Sequence, residues 1–457
     1  MHISLLQDLE QLLGPAGITL NPDLDPVGNW RNYPYQSTVL VRPQSTAEVA
    51  QVMTLCHQAQ TPVVVYGGGS GLVGATATSP QDITLSLERM NTIEDINTIE
   101  RTMTVQAGTV LQTIQEAAAS ENLFFALDLG ARGSATIGGN ISTNAGGNQV
   151  IRYGMVREQI LGLEVVLADG TILSSMNHML KNNAGYDLKH LFIGSEGTLG
   201  VVTRAVLRLR PAMPARNTAF VATDSFAKLP LLLSHMETAL GGKLSAFEAI
   251  WNNYYVLASK GPHLGTPPFP PQHAFYALIE STGNDEAQES EEFLNALEEA
   301  LSEDLIVDAV LAKSETEREA LWAIRDNIDC LSALDPIAIF DVSLPIGEME
   351  NYLQELEHNL EQQLGITDLA TFGHLGDGNL HIIVGVGRDD PERYHQVEEL
   401  LYQPLQLCGG SISAEHGIGL EKKPYLRYSR SAEEIDAMRR LKQAFDPRNI
   451  LNPGKIF

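Results

Sequence analysis

The 457 residues carry 57 acidic and 30 basic side chains, a net charge of −27, with 44% hydrophobic and 19% charged residues. That length exceeds one hydrophobic core and implies two or three domains. The acidic balance argues against nucleic acid or an anionic membrane as partner, since both need a basic face.

The N-terminal stretch "MHISLLQDLEQLLGPAG" predicts an acidic amphipathic helix stopped by Gly14-Pro15. It lacks the basic start of a signal peptide and the Arg-rich bias of a transit peptide. No run approaches the ~18 apolar residues of a membrane-spanning helix. A soluble, cytoplasmic protein without an integral membrane segment is therefore expected.

From about residue 38 short strands and helices alternate: "TVLVRP", the helix "TAEVAQVMTLCHQA", then "TPVVVYG" and "DITLSLE". The strand "TMTVQAG" and the helix "VLQTIQEAAASENL" follow, then "ILGLEVVLADGTIL" with a hairpin turn at Asp169-Gly170. Pro211 and Pro214 suggest a domain boundary. Beyond it an α+β segment runs to about residue 424 and contains the Pro-rich loop "GPHLGTPPFPPQH". In "NDEAQESEEFLNALEEALSEDL" the apolar Phe293, Leu294, Leu297 and Leu301 form one helical stripe and the acids a solvated face. The chain closes with a helix and the irregular tail "NPGKIF". Cys56, Cys330 and Cys408 are widely spaced, which leaves no iron–sulfur motif or disulfide framework and reads as buried thiols.

"YGGGSGLVG" follows the strand "TPVVVY" and contains G-x-G-x-x-G at Gly69, Gly71 and Gly74. A nicotinamide-binding Rossmann unit would need a crossover helix opening there and an acid ~20 positions on. Glu88 could serve as the acid, but only "ATATSPQD", with Pro80, separates Gly74 from the next strand. A crossover that short is not expected to join parallel strands. What remains is a run of residues without Cβ atoms, where backbone N–H groups can converge on an anion. "GSATIGGNISTNAGG" and "GSEGTLGVV" repeat the theme, the former with Ser134, Thr136, Thr143 and Asn144 as neutral donors. Together the three stretches suit an extended dinucleotide.

"ATFGHLGDGNLHIIVGV" predicts a hairpin with Asp377-Gly378 as a two-residue turn, which sets His374 directly opposite His381. Their Cβ atoms would lie ~5 Å apart, suited either to a hydrogen-bonded pair or to a shared metal. Asp377 and Asn379 read as turn residues. In "SISAEHGIG", Glu415 and His416 are expected to end a strand and to point to opposite sides. Arg325 in "ALWAIRDNI" sits on a helix whose Leu321, Trp322 and Ile328 are expected to be buried.

The ordered set "YGGGSGLVG", "GSATIGGNISTNAGG…RYG", "LEVVLADG", "NNAGYDLKHLFIGSEGTLGVVT", "GHLGDGNLH", "SAEHGIG" and "LNPGKIF" resembles the FAD-dependent D-2-hydroxyacid dehydrogenases. That family includes D-lactate dehydrogenase, D-2-hydroxyglutarate dehydrogenase and the flavin subunit of glycolate oxidase. The resemblance implies an α+β fold. A two-part FAD-binding domain of the vanillyl-alcohol-oxidase type would occupy 1–212, and a substrate- and metal-binding cap domain with an antiparallel sheet 213–424. A C-terminal helix and tail, 425–457, would return to the FAD domain.

It further implies that Gly67, Gly68, Gly69, Ser70, Gly71 and Leu72 wrap the FAD pyrophosphate. Ser134, Ile137, Gly138, Gly139, Thr143, Asn144 and Gly147 would line the adenosine and ribityl region. Glu196, Gly197, Gly200 and Val202 would complete the cradle, with Asn452 near the flavin ring. The first glycine loop has no His, which implies non-covalent FAD. By the same resemblance His374, His381 and Glu415 hold a divalent metal, Zn²⁺ being favoured, His416 is the general base, and Arg325 engages the substrate carboxylate.

The substrate side chain is where the resemblance divides. Glutarate-specific relatives carry a Lys where Ile339 stands and an Asn where Ile383 stands, and Asp329 replaces a small hydroxyl. Two aliphatic residues disfavour a second substrate carboxylate, because a buried unpaired charge is expensive. D-lactate or a longer apolar D-2-hydroxy acid is expected, with D-2-hydroxyglutarate dehydrogenase and the glycolate oxidase flavin subunit as alternatives. Electrons would leave to an external acceptor, a partner protein or a quinone. Oligomeric state is open, a homodimer being compatible. From other classes, a non-redox flavin transferase of the ether-lipid synthase type would share the FAD domain, and a zinc-only hydrolase would leave the glycine stretches unexplained.

Overall fold

A computed structural model describes residues 3–24, 28, 30–261 and 266–457. The first two residues of the expected N-terminal helix and positions 262–265 of the Pro-rich loop lie outside that set. The chain forms two compact units, one of Met1–Gly147, Tyr153–Ala212 and Glu415–Phe457, the other of Asn148–Arg152 and Met213–Ala414. Among the described residues no helix is long and apolar enough to cross a membrane.

The first unit holds a four-stranded sheet made of β1 (Ile18–Leu20), β2 (Val39–Val41), β3 (Val63–Tyr66) and β4 (Ile83–Ser86), in the order β1-β2-β4-β3. Between β2 and β3 runs the helix Thr46–Ala59, whose Ser45 side chain caps the Glu48 N–H and whose Val49, Val52, Met53 and Cys56 turn into the core. Strand β3 pairs with β4 in parallel. This corrects the expectation drawn from the short spacing. The connection is the whole stretch 67–82, glycine loop included, which is long enough to cross over without a helix.

A second sheet is antiparallel throughout. It combines β5 (Ile93–Asn97) and β6 (Thr102–Gln106) with β8 (Ile160–Val166), β9 (Ile172–Ser175) and β10 (Val201–Arg208), in the order β5-β6-β10-β8-β9. Strand β7 (Leu123–Phe124) pairs separately with β11 (Arg210–Pro211). The β8–β9 hairpin turns at Asp169-Gly170 as expected, with Leu167 N–H donating to the Thr171 carbonyl at 2.9 Å. After the helix Ala432–Phe445, opened by a capping box at Ser431 and Glu434, the tail returns to β3. Val63 N–H donates to the Ile450 carbonyl at 2.8 Å, and Asn452 N–H to the Val63 carbonyl at 2.9 Å.

The second unit is built on seven antiparallel strands: β12 (Ala215–Thr223), β13 (Leu244–Trp251), β14 (Phe275–Gly283), β15 (Asp308–Leu311), β16 (Ile337–Ser343), β17 (Leu369–His374) and β18 (Asn379–Gly385). Their order is β15-β12-β14-β13-β17-β18-β16. One face packs Ile250, Phe372 and Ile383 against Tyr254, Leu321 and Ile324. Each such fully buried side chain contributes about 1.5–3 kcal/mol. On the acidic helix Glu286–Ser302 the buried stripe is Phe293, Ala296, Leu297 and Ala300. Leu294 and Leu301, expected in that stripe, are 41% and 51% exposed, because a step of one or eight residues rotates off the 3.6-residue repeat. Cys56 is buried, whereas Cys330 and Cys408 are only half-buried, against expectation.

Candidate active site

In the first unit the glycine loop follows β3 and lies against the stretch Ser134–Gly139. A Cβ on Gly68 would stand 2.0 Å from the Ser134 carbonyl oxygen, so only glycine permits that approach. A Cβ on Gly71, which is exposed, would meet nothing within 4 Å, so this side of the loop is open. Beyond it the helix Ile137–Thr143 begins, on which Ser142 Oγ donates to the Gly138 carbonyl at 2.7 Å. Asn140, 6% exposed, keeps a buried Oδ1 without a hydrogen-bond partner. The close backbone approach of the loop to Ser134–Gly139 and the unsatisfied amide oxygen on the helix that follows fit a polar ligand such as FAD.

Other residues expected around the cofactor are already engaged within the protein. Asn144 ends the helix in a left-handed conformation, φ 51°, and its Oδ1 accepts from Arg157 N–H at 3.1 Å. Gly147 passes close to the Asp128 carbonyl, and Gly200 to Val165. Val202 is a core residue of β10. Asn452 acts as a clamp, its Oδ1 accepting from Val65 N–H at 2.9 Å and its Nδ2 donating to the Glu196 carbonyl at 2.6 Å.

Glu196 is buried at φ 50°, and its carboxylate accepts from Ile418 N–H at 2.7 Å and Gly419 N–H at 2.8 Å. Burial pushes its carboxyl pKa up, against those two bonds. Leu420 N–H donates to the Val73 carbonyl at 2.9 Å. The turn after His416 is thus fixed on one side to Glu196 and on the other to the end of the glycine loop.

The second unit gathers charge on one sheet face. His374 of β17 pairs across with Glu248 of β13, and His381 of β18 with both Phe372 and Asp341. Directly paired residues share a face, as do residues two apart, so Glu248, Asp341, Phe372, His374, Asn379 and His381 point the same way. Arg325 ends the helix Glu315–Arg325 and reaches this face. Its Nε donates to Glu248 Oε2 at 2.7 Å, its Nη2 lies 3.2 Å from His374 Nε2, and its guanidinium sits 5.0 Å from the Phe372 ring centroid. Glu248 Oε1 lies 2.7 Å from His374 Nδ1. Burial alone would raise the Glu248 carboxyl, but His374 and Arg325 together hold it below the usual range. Ligating atoms of His374 and His381 come within 4.8 Å of each other, as do those of Asp341 and His381.

Three local expectations need correction. His381 faces Phe372 rather than His374, because a 3-10 turn at Leu375–Asp377 and a left-handed Gly378, φ 81°, lengthen the hairpin. The two imidazoles remain diagonal neighbours, ring centroids 5.3 Å apart. Residues 412–419 form no strand. Their N–H groups bond to side chains instead of a ladder, Ala414 to Asp341 Oδ2 at 3.1 Å and Gly419 to Glu196. Ile328, expected to be buried, is 61% exposed, since the helix ends at Arg325 and Ile324 and Leu331 take the core positions.

Asp377 shapes the turn, accepting from Asn379 N–H at 3.3 Å. Asn379 itself is 3% exposed, and neither atom of its amide is hydrogen-bonded. Glu248 and Asp341 escaped sequence reasoning. Each is a lone acid inside an apolar strand, "LSAFEAIW" and "AIFDVSLP", and that isolation was the available signal.

Comparison with known proteins assigns both regions of the chain to families. The family model described as FAD binding domain matches residues 37–175, and that for FAD linked oxidases, C-terminal domain, matches residues 212–456. A D-2-hydroxyglutarate dehydrogenase of Xanthomonas citri pv. viticola is 41% identical over 460 residues, covering 98% of this chain and 96% of that protein. A putative mitochondrial D-lactate dehydrogenase of Schizosaccharomyces pombe is 36% identical, covering 99% of this chain and 87% of that one. Among solved structures an alkyldihydroxyacetonephosphate synthase superposes with a TM-score of 0.77 at 18% identity, covering 100% of this chain and 85% of that one, a likeness of fold alone. The glycine cradle lies in the matched FAD-binding domain, and the antiparallel sheet in the matched C-terminal domain of FAD linked oxidases. The chain belongs to the FAD-linked D-2-hydroxyglutarate and D-lactate dehydrogenase family, oxidoreductases acting on CH–OH donors.

Proposed function

We propose that the protein oxidises a D-2-hydroxy acid with an apolar side chain, D-lactate or a longer homologue, to the 2-oxo acid. One observation carries the side-chain preference. Ile339 and Ile383 are direct cross-strand partners on the face that bears His381 and Asp341. Ile383 is buried in the core and Ile339 is half-buried beside it, so a second substrate carboxylate reaching Ile339 would find an apolar surface and no partner. Bound non-covalently, FAD supplies the acceptor for the two electrons that leave with the α-hydrogen. A divalent metal, Zn²⁺ favoured, held by His374, His381 and Glu415, supplies Lewis acidity toward an α-hydroxy carboxylate. The donor set suits such an ion: His374 and His381 offer two imidazoles, and Glu415 follows Ala414, whose N–H is tied to the strand partner of His381.

Arg325 binds the substrate carboxylate through its guanidinium edge. His416 takes the hydroxyl proton as the C–H bond breaks and the carbonyl forms. Glu196, by fixing Ile418 and Gly419, limits where that imidazole can go. Electrons then pass to an external acceptor, a partner protein or a quinone.

A second reading, D-2-hydroxyglutarate as substrate, is favoured by the name of the 41% identical relative. The synthase-like fold raises a third, a flavin transferase that oxidises nothing. Anaerobic titration of the purified flavoprotein with D- and L-lactate, D-2-hydroxyisovalerate and D-2-hydroxyglutarate separates the three by flavin absorbance. Bleaching by the D-monoacids at lower concentration than by D-2-hydroxyglutarate supports the proposal. The reverse order supports the dicarboxylate, and no bleaching by any acid supports the transferase.

A further inference from the structure

We infer that Glu248 is a positioning residue that sets the tautomer of His374 and the orientation of Arg325 with one carboxylate. The inference rests on the metal and carboxylate roles proposed above for those two residues.

Glu248 is 1% exposed and flanked along β13 by Phe247 and Ala249. A charge there is costly unless it is paired and hydrogen-bonded, and both its oxygens are committed. The chemistry of the three groups leaves one arrangement. A carboxylate only accepts, so the hydrogen between Oε1 and His374 Nδ1 belongs to the imidazole. A guanidinium only donates, so His374 Nε2, 3.2 Å from Arg325 Nη2, presents a lone pair. Neutral imidazole with its hydrogen on Nδ1 meets both conditions, and imidazolium meets only the first. The lone pair on Nε2 is the one a metal needs. The same carboxylate, through Oε2, anchors Arg325 Nε at 2.7 Å, while Phe372 supports the guanidinium and Tyr254 Oη donates to the Arg325 carbonyl at 2.9 Å.

Glu248→Gln is the informative change, because it keeps length and volume and removes one acceptor. If the amide nitrogen faces Nδ1, His374 must move its hydrogen to Nε2 and loses the metal-binding lone pair. If it faces Arg325, two donors meet and the guanidinium loses its anchor. The experiment uses the FAD-loaded protein labelled with ¹⁵N-histidine. The His374 tautomer is read by NMR after chelation, with His374→Ala assigning the signal. Zn²⁺ affinity is read by chelator competition, and KM by steady-state kinetics.

In the wild type the Nδ1–H form is expected. In the Gln variant the hydrogen shifts toward Nε2 with Zn²⁺ affinity reduced ~10–100-fold, or KM rises at least tenfold, with flavin content unchanged. An unchanged tautomer together with Zn²⁺ affinity and KM within threefold of wild type overturns the inference. If Glu248→Gln yields no flavin-loaded protein, Glu248→Asp takes its place, and a wild-type Nδ1–H signal is then expected because the acceptor-only group is retained. Should His374→Ala leave Zn²⁺ affinity intact, the metal reading fails, while the tautomer still decides the role of Glu248.

Discussion

Two glycines of the first loop, Gly68 and Gly71, should respond to alanine in opposite ways. At Gly68 the added methyl would stand 2.0 Å from the Ser134 carbonyl oxygen, 2.7 Å from its carbon and 3.0 Å from Ala135 Cα. All three are backbone atoms, so no rotamer change relieves the clash, and the loop or the 134–139 stretch must shift by about an ångström. Such overpacking costs about 1–3 kcal/mol, which exceeds the 0.4–1 kcal/mol that Gly→Ala returns through the unfolded chain. At Gly71 nothing lies within 4 Å, so the fold is spared and the methyl projects from the open side of the loop, where the proposed FAD pyrophosphate would lie. Denaturant unfolding of the FAD-free protein and FAD affinity by fluorescence quenching separate the two effects. Gly68→Ala should lower both. Gly71→Ala should leave unfolding within about 0.5 kcal/mol while weakening FAD roughly tenfold, the equivalent of ~1.4 kcal/mol. If Gly71→Ala binds FAD like the wild type, that side of the loop does not face the cofactor.

The remaining predictions concern side chains. Replacing Ile339 and Ile383 together by Lys and Asn should shift the ratio of kcat/KM at least tenfold toward D-2-hydroxyglutarate over D-lactate, and an unchanged ratio removes these positions from specificity. Asn379→Leu removes a buried amide with no hydrogen bond. The variant should melt at or above the wild-type temperature, since an unsatisfied group costs about 1–3 kcal/mol, yet turn over more slowly. A lowered Tm with full activity would contradict this. Lys455, 5% exposed with Nζ donating to the Ala77 carbonyl at 2.7 Å, is pushed down from 10.5 to about 8, chiefly by burial. Between those values the folded chain has shed a proton that the unfolded chain keeps, so stability rises with pH across that window by up to about 3 kcal/mol. Urea titrations at pH 7.5 and pH 10 should show this rise in the wild type relative to Lys455→Met, and a flat difference rejects it.

What the sequence disclosed was chiefly what repeats locally. The glycine stretches, the Asp169-Gly170 hairpin and the β17–β18 hairpin each declare themselves within a dozen or so residues, through turn chemistry and alternation. Placing both histidines on one face needed only a period of two. Their exact pairing depended on a turn that a D-G dipeptide does not uniquely fix, and it slipped by two positions. Glu248 and His374 meet across 126 residues of chain, a relation set by sheet order rather than by any local pattern. The parallel pairing of β3 and β4 was hidden for a related reason: the glycine loop read as a ligand motif also serves as connecting chain.

Strand β3 lies at the margin of its sheet, and the groups that finish it, Ile450 and Asn452, come from nearly four hundred residues later. During N-to-C synthesis those partners leave the ribosome long after β3 does. The edge just upstream of the cofactor loop therefore stays open to stray strand pairing through most of translation. A nascent chain stalled before residue 450 should recruit holdase chaperones at this edge, and premature release there should favour aggregation over flavin uptake.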